Sequence, residues 1–284
     1  MTALASRSCD QLADDLVTQL ARMGSGVRGR FDPVVPSERE VDPAIRLLDP
    51  EHLRAQILHV LPENGREAAD MRAVASRFTR VYCMAVVRPV VVALAMGIGL
   101  DASLPRASVV WLPWSVRGST GTNPHALHLG PDAFLARPGS QEELRRDVLR
   151  HLFAEHLAVL FERVLRLVRL SPKVLWSNAA EGLGGVASAA AEELDGASAQ
   201  PFIDEVDAIL AMDTLPGIAG SNPLHGQVRW DDVQRSDFPH GLMTRRICCV
   251  SFTIPDRLGQ YCGACPLPPV QERIDLLRGT GSGS

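Results

Sequence analysis

Four of the six cysteines fall within eighteen residues near the C-terminal end of the chain: Cys248, Cys249, Cys262 and Cys265. Four thiolates are the ligand set that both structural zinc and iron–sulfur clusters need. Cys262-Gly-Ala-Cys265 is a turn that lets two sulfurs converge on one metal, with Gly263 relieving the tight backbone. The adjacent pair behaves differently. Successive side chains on a strand point to opposite faces, so Cys248 and Cys249 share a site only if the strand ends or bulges there. A binuclear cluster spreads its ligands over two irons and accommodates such divergent sulfurs more easily than one tetrahedral zinc. The spacing therefore tilts toward iron–sulfur, with zinc still open.

The competing readings depend on compartment. Residues 1–15 have no basic segment followed by an apolar run of signal length, and acids come early at Asp10, Asp14 and Asp15. A cytoplasmic location is expected, with peripheral attachment at the inner face of a membrane allowed. Thiols there stay reduced, which argues against two disulfides, as does the strain of bonding adjacent cysteines. A lone redox dithiol would call for a preceding strand in a βαβ unit, which the pattern lacks. The most apolar stretch, Val81 to Leu100, is broken by Arg88-Pro89. The apolar run after that break is shorter than the roughly 20 residues needed to span a bilayer, so a buried helix is expected and no membrane span. A net charge of -4 offers no basic field for nucleic acid.

Helical periodicity covers 8–23, 50–61, 65–80, 81–98, 141–170, 172–194 and 201–212. Ser171-Pro172 reads as an N-cap followed by proline at the first helical position. Residues 30–50 read as an extended connection, and the Gly/Pro/Asn-rich stretch carrying Trp230 reads as a loop. Strands are expected around Ala107–Trp114, Ala126–Leu129 and Arg246–Ile254, the last delivering the cysteine pair. The class is α+β: predominantly helical, with a small antiparallel sheet and a C-terminal cysteine-rich, cluster-binding segment. Residues 1–244 form the body, as one unit or two packed lobes parting near 100–106. Residues 245–278 form the cluster segment, and 279–284 a tail or cloning remnant.

The run Arg245-Arg-Ile-Cys-Cys-Val-Ser-Phe252, followed by Cys262-Gly-Ala-Cys-Pro-Leu267, resembles the C-terminal signature of the FhuF-type ferric-siderophore reductases. Leu175-Trp176-Ser177-Asn178-Ala179-Ala180 resembles a Trp-x-Asn helical segment of the same family. The family pattern has ten residues between the cysteine pairs, where this chain has twelve. Two extra residues cost only a few tenths of a kcal/mol, roughly, in loop closure. The resemblance implies a [2Fe–2S] cluster on Cys248, Cys249, Cys262 and Cys265, with no catalytic residue beyond it. It implies one-electron reduction of a cytoplasmic ferric siderophore, hydroxamate type favoured, with release of iron(II).

An external donor is then required, such as a ferredoxin, a flavodoxin or an NAD(P)H-dependent reductase. The literal Gly-x-Gly-x-x-Gly of Gly24–Gly29 follows a helical pattern where a dinucleotide site needs a strand. Gly182-Leu-Gly-Gly-Val-Ala187 reads as close helix packing. Arg245, Arg246 and Trp176 are the candidates for docking substrate or donor. Two other classes remain: an iron–sulfur sensor or carrier, and a zinc-stapled interaction protein without reductase activity.

Overall fold

The computed structural model describes residues 8–23, 41–67, 69–116, 119–135, 140–254 and 260–278. The glycine motif at 24–29 and the tail at 279–284 lie outside the described residues. The fold is α+β and 57% helical with a small antiparallel sheet.

Helix α1 (Cys9–Arg22) starts at a reciprocal capping box between Ser8 and Gln11. Strand β1 (Val41–Pro43) and a 3-10 turn (Ala44–Leu48) occupy the end of the stretch expected to be an extended connection. Asp49 caps α2 (Pro50–His59), and Asp70 caps α3 (Met71–Ala95). Helix α3 therefore begins at residue 71 rather than 65, because Pro62 and a short 3-10 turn at Glu63–Gly65 intervene. It continues through Pro89 without a break. Among the described residues, α3 is the one helix long and apolar enough to cross a membrane; 78% of its apolar window is buried inside the protein, as a core helix would be.

Strands β2 (Ala107–Val116) and β3 (Ser119–Leu129) form a long hairpin, with β1 on the outer side of β2. Both are longer than the sequence suggested, because Pro113 and Pro124 sit where the ladder tolerates them. Residue 113 lies beyond the three-residue pairing with β1, and Pro124 is on an edge strand beside the irregularity at Val110/Trp111. The helix expected over 141–170 is α4 (Gln141–Leu149), a π-helical stretch (Arg150–Ala158) and α5 (Val159–Leu167). Helix α6 (Pro172–Glu193) has Ser171 at its N-cap, but the serine side chain makes no capping bond. Helix α7 (Gly196–Ala211) starts five residues earlier than expected, since Asp195 caps it and Pro201 falls within its first turns.

Trp230, expected in a loop, lies in strand β4 (Val228–Asp231), which pairs with β5 (Leu242–Arg245). Helix α8 (Val270–Leu277) closes the chain. Its Arg273 is buried and bonds Asp231 at 2.7 Å and the Thr244 hydroxyl, tying α8 to both strands. One apolar core runs from Ala13 to Ile254 and is continuous across residues 100–106.

The core of interest is the α3–α6 crossing. A Cβ at Gly182 would come 3.2 Å from the Cys83 carbonyl oxygen and from the Val87 Cβ. Gly182 therefore brings the two backbones into near contact. Asn178 locks the crossing by donating to the Ser76 carbonyl and the Thr79 hydroxyl, at 3.0 and 2.8 Å.

A second buried polar link predicts how stability depends on pH. His156, on the π-helical stretch, is 0% exposed, with Nε2 2.7 Å from the Tyr82 hydroxyl and Nδ1 2.6 Å from the Ala102 carbonyl. Burial pushes its pKa down to about 4. Between about 6.5 and about 4 the unfolded chain therefore binds a proton that the fold refuses. The contribution of His156 is complete above the unfolded value and is lost as pH falls through that window. Chemical denaturation at pH 7.5 and pH 5 should show a fall in stability that shrinks in His156→Gln; an equal fall in both proteins would refute the assignment.

Candidate metal centre

Strand β5 ends at Arg245, so the segment expected to be a third strand, Arg246–Ile254, is not one. It is a loop with one 3-10 turn at Ser251–Thr253. The physical reason lies at Val250, whose φ of 53° is left-handed, a conformation that a β-branched residue resists and that no strand contains. The turn is held because the Val250 N–H donates to Cys248 Sγ at 3.3 Å. The sequence required that the strand end or bulge at the cysteine pair, and it ends just before it.

The turn brings all four sulfurs together. Cys248 Sγ lies 3.8 Å from Cys265 Sγ. Cys249 interacts electrostatically with Cys248 and Cys262, and Cys262 with Cys265, so the four thiols are near neighbours. A separation of about 3.8 Å is what two thiolates take on one tetrahedral metal with bonds of about 2.3 Å. Among the described residues, no three His, Cys, Asp or Glu side chains form a set around a single ion.

The quartet forms a small cluster of its own with Tyr261, apart from the main core. Cys249, Cys262 and Cys265 are buried and Cys248 is partly exposed. Phe252 and Tyr261, with ring centroids 5.1 Å apart, flank it. Cys249 Sγ is also 3.0 Å from the Ser251 hydroxyl. The Cys262–Cys265 turn is closed by the Cys265 N–H donating to the Cys262 carbonyl, and it is fastened to β5 by the Arg245 N–H donating to the Ala264 carbonyl.

Beneath the sulfurs lies a buried charge cluster. The Arg80 guanidinium, from α3, grips Glu181, from α6, with Nε 2.8 Å from one carboxylate oxygen and Nη2 2.6 Å from the other. Arg245 Nη1 adds a third bond to Glu181 at 3.0 Å, while its Nε reaches the Ser177 hydroxyl at 3.3 Å. Side-chain exposure is 18% for Arg80, 2% for Glu181 and 0% for Arg245. Burial alone would raise the Glu181 pKa, but the two guanidiniums hold it below the usual carboxylate range. Two cations then face one anion, and Arg245 Nη2 is buried with no hydrogen-bond partner among the described residues. Burying surplus charge costs several kcal/mol, roughly, unless a counter-charge is near.

The counter-charge is sulfur. Cys249 is pushed toward thiolate first by the thiol bonds from Cys248 and Cys262, and after burial by Arg245 and Arg80. Four thiolates holding an anionic iron–sulfur cluster would supply the negative charge that this seat lacks.

Of the docking candidates, Arg246 is exposed and anchored through its backbone N–H to the Gln227 carbonyl at 2.7 Å. Arg245 is corrected: wholly buried in the Glu181 pair, it meets no partner from solution. Trp176 is half-buried, packs edge-on against Phe161 with centroids 5.1 Å apart, and lines a cavity shared with Lys173 and His225. Sequence reasoning missed Arg80 and Glu181. The signal was there for Glu181, the one charged residue between Lys173 and Glu192 in an otherwise small and apolar helix.

A second cavity, of about 410 Å³, opens between α3, α6, β5 and the cysteine turn. The protein-family profile described as ferric iron reductase FhuF-like transporter matches residues 76–237, more than half of the chain. The match takes in Arg80, Glu181 and the Trp176–Asn178 segment and ends before Cys248. No curated protein matches the chain.

Proposed function

Because the chain belongs to the FhuF-like ferric iron reductase family, we propose that it reduces the iron(III) of a siderophore chelate, using a [2Fe–2S] cluster on Cys248, Cys249, Cys262 and Cys265. The observation that carries this reading is the anion-deficient seat beneath four neighbouring sulfurs, with two guanidiniums on one buried carboxylate. When bound, such a cluster supplies one-electron transfer at a potential set by net charge, exposure and hydrogen bonds to sulfur.

The chain supplies the rest. Arg80 and Arg245 place positive charge where the added electron is held, and the Val250 N–H donates to the Cys248 sulfur. Cys248, the partly exposed member, marks the side open to a partner. Arg246, exposed two residues before it, offers a positive charge to an acidic donor protein such as a ferredoxin or flavodoxin. Siderophore oxygens are hard and anionic and hold iron(III) far more tightly than iron(II). One electron leaves the donor, one is gained by the chelated iron, and iron(II) dissociates. The reaction belongs where thiols stay reduced, in the cytoplasm.

The test is a visible spectrum of anaerobically purified protein, reduced with dithionite and freed of excess, before and after a ferric trihydroxamate is added. Rapid return of the oxidised spectrum, with one iron(II) trapped per electron, is the expected result. A brown, reducible protein that no ferric chelate reoxidises is instead a carrier or sensor, and a colourless zinc protein is an interaction module.

A further inference from the structure

The cavity of about 410 Å³ shares a wall with the cysteine turn, since Gly263 and Ala264, between Cys262 and Cys265, are part of its lining. An ion held there is separated from two of the four sulfurs by one turn of backbone. The volume lies in the range of about 300–1,000 Å³ usual for small-molecule sites. Three guanidiniums reach the cavity: Arg80 and Arg88 from α3, and Arg278 from the end of α8. Arg88 is 7% exposed, and its guanidinium lies against Gly185 of α6, where a Cβ would come 2.9 Å from Nε and Cζ. Helix α6 thus gives up a side chain to make room for an enclosed cation.

The acids of the wall do not balance these cations. Glu181 is already shared between Arg80 and Arg245. The outer edge repeats the arrangement: Asp237 accepts from Arg278 at 2.8 Å and from Arg235 at 3.3 Å, and Arg278 first and Arg235 after it hold its carboxyl below the usual range. Beneath the quartet the surplus faces sulfur, and at the outer edge it faces the cavity. Glu192, the third acid, is pushed up by burial and then by Glu193 and Asp237, so it gives up its charge more readily than an ordinary carboxyl. An anion is what this lining lacks, and the rest of the wall narrows its class. Ser188 adds a hydroxyl, while Met84, Leu242 and Met243 supply apolar surface among the charges. A compact inorganic oxyanion makes no use of that surface. A small di- or tricarboxylate does, because its carboxylates can reach guanidiniums on separate elements, each by paired hydrogen bonds, while its carbon chain meets the methionines.

We propose that this cavity binds a small metal-free polycarboxylate, and that the bound anion lowers the reduction potential of the cluster behind the Gly263–Ala264 turn. Negative charge close to a cluster disfavours the added electron. The effect on potential rests on the [2Fe–2S] reading; the binding site does not.

The probe is tricarballylate, a tricarboxylate without the hydroxyl that makes hydroxy acids strong iron chelators. It is titrated calorimetrically into the protein as purified, at low ionic strength, with inorganic phosphate and acetate as comparisons. Tricarballylate should bind, and the other two should bind at least about tenfold more weakly. Ser188→Trp, on the cavity wall and remote in sequence from every cysteine, should weaken tricarballylate at least about tenfold by filling the space. Arg278→Gln, at the exposed edge, should weaken it roughly fivefold, and Glu192→Gln should strengthen it roughly threefold by removing a like charge. In spectroelectrochemical titration, saturating tricarballylate should move the midpoint potential down in the wild type and not in Ser188→Trp. Wild-type protein that does not bind tricarballylate, binding that none of the three substitutions changes, or phosphate bound as tightly would each overturn the polycarboxylate site. Binding with an unmoved potential overturns the effect on the cluster. A protein with no reducible cluster overturns the [2Fe–2S] reading and that effect with it, while calorimetry still decides the site.

Discussion

If the proposed [2Fe–2S] assignment holds, Cys262→Ser should be purified without colour and without stoichiometric iron, while the wild-type protein should be brown and carry about two irons per chain. Cys262 is a buried neighbour of both Cys249 and Cys265, so its loss removes a sulfur from the enclosed side of the quartet. A serine hydroxyl at that position is protonated at neutral pH and is a far poorer partner for iron than a thiolate. Changes in the surroundings of a metal site commonly cost about 10–100-fold in affinity, and loss of a ligand costs more. The fold should survive, because the quartet packs as a cluster separate from the main core. Far-ultraviolet circular dichroism should be close to that of the wild type, and iron content should fall at least about 100-fold in apparent affinity. Cys83→Ala is the matched control. Cys83 is 0% exposed inside the main core, and burial pushes its thiol up, away from the thiolate form that binds metal. Its replacement should lower stability by removing packed volume but leave colour and iron unchanged. Full iron in Cys262→Ser, or loss of iron in Cys83→Ala, would contradict the ligand assignment.

The helices were legible because their signals are local. The periodicity of α1 and α6 and the glycines of α6 are written in consecutive residues, and those two helices appear where the pattern puts them, while the segments expected at 65–80 and 81–98 are one helix, α3, from Met71 to Ala95. The cysteine quartet was legible for a related reason: reactive residue types concentrated in a short span declare themselves whatever the backbone does. The conformation that joins them was not. A run such as Arg246–Ile254 has strand composition, and only the left-handed Val250, fixed by a bond to sulfur, turns it into a loop. Composition also misled about Arg245. A charged residue beside a metal motif reads as surface, whereas its partner Glu181 lies 64 residues earlier in the chain. That pairing exists only because α6 crosses α3 closely enough for Arg80 and Glu181 to meet. Non-local ion pairs of this kind leave one trace in a sequence, an isolated charge on an otherwise apolar helix.

Glu181→Gln should be the most destabilising change at a residue that carries no sulfur. The carboxylate neutralises part of the charge on two guanidiniums, of which Arg245 is 0% exposed and Arg80 largely enclosed. An amide of nearly the same shape keeps the volume but removes the charge, and its NH2 group turns a donor toward donors. Removing one partner of a buried ion pair typically costs about 3–5 kcal/mol. At roughly 2–4 °C per kcal/mol for proteins of 150–250 residues, a lowering of about 10 °C in thermal midpoint follows. The loss should be larger in metal-free protein than in loaded protein, because with Glu181 gone the sulfurs and what they bind are the remaining counter-charge. The same substitution raises net positive charge beside the cluster, which favours the reduced form and should shift its midpoint potential upward. Arg245→Met should move the potential the other way, since it leaves Arg80 and Glu181 as a balanced pair. Spectroelectrochemical titration of the two variants reads the sign directly. If both potentials stay at the wild-type value while stability falls, the charged seat is a structural clamp between α3, α6 and β5. Opposite shifts identify it as the element that sets how readily an electron is held.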